Sequence, residues 1–361
     1  GSSQVTEDSY GYIWITNKDG LYKYDGYNFT LFSYENFFGE KFSNQKFLIK
    51  KDPEKNIWLS SFNGDLIKID DKNTHKSFKD VLQKNKVLNR VSTMKNYDKT
   101  IWFGSRLGTV YKYNGKTETI DSITTLPKIN KNQQSITSLV FTTKNEFWVS
   151  SFQGKVYNYQ IDSSRLIELD GAHKSNHNNI LLTKDLYGKL WIATELQGLF
   201  SYDPIDKKLK SYNRTKKKGS ENQYAMFISI FVDKKGIVWA GTDGDGLFRI
   251  DPKNESISIY KHDETNIFSI SNNTIRHISE DSHGNKWIVT KKGLINILPN
   301  NDNKVDYNNG LPNNSPTRIL CSYMASDKSL WIGTDGKGLN RVFPNGAKIH
   351  YGNQEKGNSF F

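Results

Sequence analysis

The sequence has very little cysteine and no long apolar run, and each absence excludes a class of structure. Cys321 is the one cysteine among 361 residues, so there is no internal disulfide and no metal site built from cysteines. No apolar stretch approaches the roughly 20 residues of a membrane-spanning helix. Sustained helical periodicity is also absent, which argues against an α-solenoid. Residues 1–3 are expected to be a cloning remnant.

Positive charge is the clearest excess in the composition. The chain has 50 Lys and Arg against 38 Asp and Glu, a formal charge of +12, which favours anionic partners. The densest basic run, residues 207–220, has no acidic residue but is confined to one predicted connection between repeats. A nucleic-acid groove would need basic residues on several adjacent repeats, so we expect no nucleic-acid partner.

Tryptophan marks an internal repeat. All eight tryptophans recur at intervals of 43 to 48 residues, and a glycine follows each by six or seven positions. Each tryptophan lies in a short apolar run, and a second run rich in aromatic residues follows the glycine, which predicts an antiparallel hairpin. The tryptophans are Trp14, Trp58, Trp102, Trp148, Trp191, Trp239, Trp287 and Trp331.

Four antiparallel strands every forty-odd residues predict an all-β fold, a β-propeller of four-stranded blades. One blade cannot bury both of its faces, so the unit must repeat until a ring closes. We therefore expect residues 1–361 to form a single propeller domain of eight blades. The alternative is a seven-bladed ring plus one extra repeat. The tryptophans are expected to pack between blades rather than to bind ligand.

The turn before the tryptophan strand has its own pattern. An aspartate and a glycine three residues later, as in Asp8 and Gly11, supply the acceptor and the positive φ of a tight turn. Units without this pair, such as NYDKT at residues 96–100, are expected to have looser turns.

The stretch EDSYGYIWITNKDGLYKYDGYNF resembles the propeller repeat of two-component regulators, and VWAGTDGDGLFRIDP and LWIGTDGKGLNRVF match that repeat most closely. The resemblance covers essentially the whole chain, although units two to four lack the Gly-Leu pair. It implies the periplasmic sensor region of a Bacteroidetes hybrid two-component system, an inner-membrane protein that senses an oligosaccharide during polysaccharide utilisation. The partners it implies are a further propeller, an immunoglobulin-like domain and a histidine kinase in the same full-length chain. A homodimer is left open.

Motifs for chemistry are few. Among the seven histidines, His173 and His177 in the loop GAHKSNHNN are the best local candidates for acid–base catalysis on a glycan. TDGDG at residues 242–246 offers two carboxylates, but the equivalent TDGKG carries a lysine, so a turn explains the motif better than calcium. We therefore expect a non-catalytic domain without metal or cofactor. A propeller-fold polysaccharide lyase or hydrolase and an envelope or secretion-system scaffold remain as alternatives.

Ligand-binding residues should break the repeat, because identical positions around a ring cannot read one asymmetric ligand. Two loop sets break it, the turn after each tryptophan strand and the crossover to the next blade, and propellers place both on one face. Both sets mix cations with aromatic residues, which suits a carboxylated or sulfated sugar. The candidates are Lys18, Arg106, Glu195, Gln197, Arg214, Tyr224, Asp243, Lys291 and Lys292.

Overall fold

The computed structural model describes most of the chain, and its contacts divide the chain into two compact units, Gly1–Asn300 and Asn301–Phe361. No helix among the described residues has the length and apolar character of a membrane span. The described residues are 4–17, 20–38, 47–61, 64–78, 90–129, 134–169, 179–212, 224–266, 269–291, 295–300, 319–325, 327, 329–334, 339–343 and 347–351.

The first unit contains seven antiparallel sheets, or blades, in which strands pair in chain order; the seventh has three described strands. Blade 1 comprises β1 (Val5–Glu7), β2 (Ile13–Asn17), β3 (Gly20–Tyr24) and β4 (Phe29–Phe32), followed by helix α1 (Tyr34–Phe38). Blade 2 comprises β5 (Phe47–Lys51), β6 (Ile57–Ser61), β7 (Leu66–Ile69) and β8 (His75–Ser77). Blade 3 comprises β9 (Val91–Tyr97), β10 (Thr100–Ser105), β11 (Thr109–Asn114) and β12 (Thr119–Thr125).

The remaining blades follow the same order. Blade 4 comprises β13 (Ile136–Thr143), β14 (Glu146–Ser151), β15 (Val156–Gln160) and β16 (Arg165–Glu168). Blade 5 comprises β17 (Ile180–Lys184), β18 (Leu190–Thr194), β19 (Gly198–Asp203) and β20 (Lys208–Ser211). Blade 6 comprises β21 (Phe227–Val232), β22 (Val238–Thr242), β23 (Leu247–Ile250) and β24 (Ile257–Tyr260). Blade 7 comprises β25 (Ile275–Glu280), β26 (Lys286–Thr290) and β27 (Ile295–Leu298).

The first strands of the blades, which we call the inner strands, surround the axis of the ring. Each inner strand contacts the inner strand of the next blade, and β25 of blade 7 contacts β1 of blade 1. Among the described residues, seven clusters of buried side chains fill the seven interfaces between neighbouring blades. The tryptophans contribute to these clusters, as predicted, because an apolar face on each side of a sheet is buried only by a neighbouring sheet.

The ring closes with seven blades, so the predicted eight-bladed ring is wrong and the alternative, seven blades and one extra repeat, describes the chain. Trp287 and Val289 of blade 7 pack against Val5, Ile13 and Ile15 of blade 1. Two polar contacts join the same blades: the imidazole Nε2 of His277 lies 3.3 Å from the Val5 carbonyl oxygen, and Ser282 donates to the Glu7 carboxylate. The apolar faces at both ends of the seven repeats are thereby covered.

The eighth repeat forms a sheet of its own in the second unit. It comprises β28 (Ile319–Met324), β29 (Leu330–Thr334), β30 (Leu339–Val342) and β31 (Lys348–Tyr351), again paired in chain order. Its first strand has the register shift near its start that also occurs in β21 and β25. The Arg341 guanidinium stacks over Trp331, 4.8 Å from the ring centroid. This sheet therefore has the internal construction of a blade.

An aspartate fixes the tryptophan in five blades. One carboxylate oxygen accepts the indole N–H of the tryptophan six residues later, at 2.8 Å for Asp8 and Trp14 and 2.7 Å for Asp52 and Trp58. The other oxygen accepts backbone N–H groups of the turn, as at Asp8. The aspartate of the predicted tight turn thus also orients a core side chain. The same indole contact is made by the pairs Asp185 and Trp191, Asp233 and Trp239, and Asp281 and Trp287.

Blades 3 and 4 lack this aspartate, and their turns are shorter rather than looser, so that prediction is wrong. In blade 3, Tyr97 pairs with Thr100, which leaves a two-residue turn of Asp98 and Lys99, both with positive φ (47° and 59°). Such a turn matches the twist of a hairpin. Because these blades lack the aspartate, the buried Nε1 atoms of Trp102 and Trp148 have no hydrogen-bond partner among the described residues.

Candidate functional site

The two predicted loop sets meet on one face of the ring, which we call the loop face. Backbone hydrogen bonds join the residue after the second strand to the residue that precedes, or lies near, the inner strand of the same blade. The Arg106 N–H donates to the Arg90 carbonyl at 3.0 Å in blade 3, and the Asp243 N–H donates to the Met226 carbonyl at 2.9 Å in blade 6. These bonds hold the turn and the crossover together, as the sequence predicted.

Two arginines lie side by side at the blade 3 part of the loop face. Arg106 is half-buried, and burial, followed by the charge of Arg90, lowers its pKa from the ordinary value. Arg90 is exposed and has a positive φ of 68°, and a Cβ atom at Gly64 of blade 2 would lie 3.4 Å from the Arg90 backbone nitrogen. Neighbouring guanidinium groups can bind a carboxylate or sulfate through paired hydrogen bonds. Arg90 is a residue that the sequence interpretation missed, although it directly precedes an inner strand.

The candidates on blades 6 and 7 are connected through Thr274. The Asp243 carboxylate accepts the Thr274 hydroxyl at 2.9 Å, and the Lys291 N–H donates to the Thr274 carbonyl at 2.9 Å. Asp243 and Lys291 therefore flank one residue at the boundary between the two blades. Tyr224 is half-buried and precedes the inner strand of blade 6.

The blade 5 candidates have local roles in the structure. The Glu195 carboxylate accepts the side-chain amide of Asn179 at 3.2 Å, which ties the turn to the crossover. The Gln197 N–H donates to the Thr194 hydroxyl at 2.9 Å, within the turn. The candidates Lys18, Arg214 and Lys292 and the histidines His173 and His177 lie outside the described residues.

The described part of the chain contains no group of three His, Cys, Asp or Glu side chains that could hold a metal ion. In the TDGDG segment, the Thr242 hydroxyl donates to the Gly246 carbonyl at 2.7 Å and accepts the Asp245 N–H at 2.9 Å. These bonds are those of a closed turn.

Burial lowers the pKa of His277 to about 4, so its imidazole is neutral at pH 7 and donates to the Val5 carbonyl. This histidine joins blades 7 and 1.

No family model and no curated protein matches the sequence. Among solved structures, the chain is similar to the extracellular domain of the hybrid two-component system BT4673 of B. thetaiotaomicron, with a TM-score of 0.65 and 23% identity over 98% of this chain and 46% of that chain. The corresponding domain of BT3049 of B. thetaiotaomicron gives 0.65 and 17% identity, over 97% and 52%.

A propeller from another setting is also similar. The WD40 propeller domain of Doa1 has a TM-score of 0.58 and 13% identity, over 83% of this chain and 92% of that chain. The chain spans about half the length of the two B. thetaiotaomicron structures. At these identities the likeness shows the fold, and at that level it confirms the resemblance to the propellers of hybrid two-component systems that the repeat indicated.

Proposed function

We propose that this chain is a sensor propeller from the periplasmic ectodomain of a hybrid two-component system, and that it recognises an oligosaccharide. The observation that carries the proposal is the likeness over nearly the whole chain to two extracellular domains of such systems. The aspartate–tryptophan contacts and the interface clusters give the repeated tryptophans a structural role, and the loops that break the repeat lie on the loop face. A variable face on a rigid ring suits ligand recognition.

The charge of the loop face favours an acidic oligosaccharide. Arg90 and Arg106 lie together at blade 3, and the whole chain carries a formal charge of +12. Such a field attracts anions over about 10 Å at 0.1 M salt, and a neutral sugar gains nothing from it. Uronate or sulfate groups are therefore the sugar substituents that this face would recognise.

The same proposal includes partners within one longer chain. The eighth sheet repeats the strand order and register shift of a blade, so we take it as the first blade of a further propeller. The similar B. thetaiotaomicron structures are about twice as long as this chain, which leaves room for that propeller and for an immunoglobulin-like domain. A membrane anchor and a histidine kinase would complete an inner-membrane sensor, and its homodimerisation is left open.

Calorimetry with a uronate-containing oligosaccharide and its matched neutral counterpart tests the ligand. We expect the acidic sugar to bind with an affinity that falls as salt rises, and Arg106→Ala to weaken it roughly tenfold, since a guanidinium paired with a carboxylate is lost. The matched control is Lys208→Ala, an exposed lysine on β20. The proposal would be contradicted if the neutral sugar bound as tightly as the acidic sugar, and if its binding depended neither on salt nor on Arg106→Ala.

Incubation with neutral and acidic polysaccharides tests the absence of catalysis. We expect no new reducing ends and no absorbance from unsaturated uronates, because the imidazole Nδ1 of His262, on the crossover between blades 6 and 7, lies 2.8 Å from the Ile270 carbonyl oxygen rather than against a carboxylate. Turnover that disappears in His173→Ala or His177→Ala would instead support a propeller lyase or hydrolase.

A further inference from the structure

Lysines lie on three of the four inner strands of blades 2 to 5. Strands β5, β9, β13 and β17 lie side by side around the axis, with the sequences FLIKK, VSTMKNY, ITSLVFTT and ILLTK. These strands carry four basic residues and no acidic residue. The four are Lys50, Lys51, Lys95 and Lys184.

Two of these lysines have partners on a neighbouring blade, and two do not. The Lys51 ammonium donates to the Asp8 carbonyl at 3.1 Å, and the Lys184 ammonium donates to the Thr142 carbonyl at 3.3 Å. Lys50 and Lys95 form no ion pair and no side-chain hydrogen bond with any residue in the described ranges. Both are half-buried, and both lie on the strands that line the central channel of the ring.

Lys50 and Lys95 hold equivalent positions on neighbouring inner strands, opposite Trp58 and Trp102, and their charges act on each other. Burial, and then the charges of Lys50 and Lys184, lower the pKa of Lys95 to about 8. Burial, and then the charge of Lys51, lower the pKa of Lys50. The charge of Lys50 also reaches His277 on blade 7, which lies beyond blade 1. The positive charges of several blades therefore act on one region inside the ring.

The acidic residues of the inner strands do not neutralise this region. They are Glu7 of blade 1 and Glu280 of blade 7. Glu7 accepts two hydrogen bonds from Ser282, and Glu280 pairs with Lys286 at 3.1 Å. Strand β21 carries no charged residue. Half-buried ammonium groups without a counter-charge are costly, and an anion between them would offset that cost.

We propose that the central channel of the ring binds an oxyanion, a carboxylate, sulfate or phosphate group, between Lys50 and Lys95. In register, these lysines stand opposite Trp58 and Trp102, toward the turns that join first and second strands. The loop face is at the other end of the strands. The site is therefore separate from the proposed oligosaccharide site and does not depend on it.

Calorimetry and thermal unfolding of the whole chain with added anions test the site. The probes are sulfate, phosphate, a uronate-containing oligosaccharide and its neutral counterpart, at an ionic strength held constant with chloride. We expect at least one of the three anionic probes to bind and to raise the unfolding temperature. Binding of sulfate or phosphate assigns the site to a free oxyanion. Binding of the uronate probe alone assigns the site to an acidic group of a sugar only if that binding persists in Arg106→Ala and is weakened in Lys50→Met and Lys95→Met.

Methionine variants identify the residues, because methionine keeps an unbranched apolar stem and removes the charge. Lys50→Met and Lys95→Met should each weaken the anion roughly tenfold or more, and should be at least as stable as the parent without anion, because repulsion is relieved. Lys208→Met, on the exposed strand β20, is the matched control and should bind normally. Arg106→Ala should also leave channel binding unchanged, which separates this site from the loop face.

The pH dependence gives an independent readout of Lys95. A bound anion raises the pKa of Lys95 above its free value of about 8, so binding takes up protons, and affinity should fall as pH rises through 8. The charged groups on the neighbouring inner strands are Lys50 and Lys51 of β5 and Lys184 of β17, and β13 between β9 and β17 carries no charged residue. Failure of all three anions to bind, or undiminished binding in both methionine variants, would overturn the proposal.

Discussion

Replacement of Trp58 by alanine is expected to lower the free energy of unfolding of the ring by about 3–5 kcal/mol. The indole is fully buried between blades 2 and 3 and packs against the rings of Phe78, Phe103 and Tyr113 at centroid distances of 5.2, 5.3 and 4.8 Å. Its removal leaves a cavity in a rigid interface. Denaturant unfolding followed by circular dichroism measures the loss, and Tyr27→Ala, at a 92% exposed site, should change stability by about 0.5 kcal/mol or less.

A matched pair of conservative changes separates the hydrogen bond from the packing. Trp58→Phe removes the indole N–H that donates to the Asp52 carboxylate, whereas Trp102→Phe removes an N–H that has no partner among the described residues. The first change should therefore cost about 1.5–3 kcal/mol more than the second, the range for a hydrogen bond to a charged group. Equal losses would show that the aspartate contact does not stabilise the blade.

The blade is the part of this fold that could be predicted from sequence. The spacing of tryptophan and glycine, the alternation of short apolar runs and the Asp8 turn are local signals, and the strands follow them closely. The aspartate has a second role, as the acceptor of the Trp14 indole, that is equally local because the two residues are always six positions apart. The constant six-residue spacing of aspartate and tryptophan could therefore have predicted this hydrogen bond from the sequence.

The number of blades could not be predicted in the same way. The eight repeats have similar apolar faces, so the sequence does not indicate which repeat packs against blade 1. Closure depends on the angle between successive sheets, which is a property of packing along the whole ring. The contact that decides it joins Val5 to Trp287 and His277, residues at opposite ends of the ring's sequence. Seven blades cover both terminal faces, and the eighth repeat belongs to the second unit.

The grouping of lysine charges inside the ring could not be predicted from the sequence either. Lys50, Lys95 and Lys184 each lie in an ordinary strand, separated by a repeat or more, and only the closure of the ring brings their charges together. The loop face was predictable as a surface because the backbone topology dictates it. Which of its side chains come together, such as Arg90 and Arg106, depends on crossovers whose path no repeat specifies.

Lys286 shows how a break in the repeat marks a special site. The residue before the tryptophan is apolar in the other seven repeats, and here a lysine is buried in its place. Its ammonium lies 3.1 Å from the Glu280 carboxylate and 3.3 Å from the Asp233 carboxylate, and it donates to the Gly284 carbonyl at 2.7 Å. All three charged side chains are less than 10% exposed. The lysine therefore joins blades 6 and 7 through a buried ionic cluster.

Lys286→Met should destabilise the ring by about 3–5 kcal/mol, because it leaves two buried carboxylates without their cation. Asp233 would retain the Trp239 indole as a donor, whereas Glu280 would lose its ion pair. Adding Glu280→Gln to Lys286→Met should therefore recover part of the loss, since it removes one of the two uncompensated charges. The four proteins of this double-mutant cycle, compared by urea unfolding, measure the coupling. A Lys286→Met protein as stable as the parent, or a double variant weakened by the sum of both changes, would show that packing rather than charge holds blades 6 and 7 together at this point.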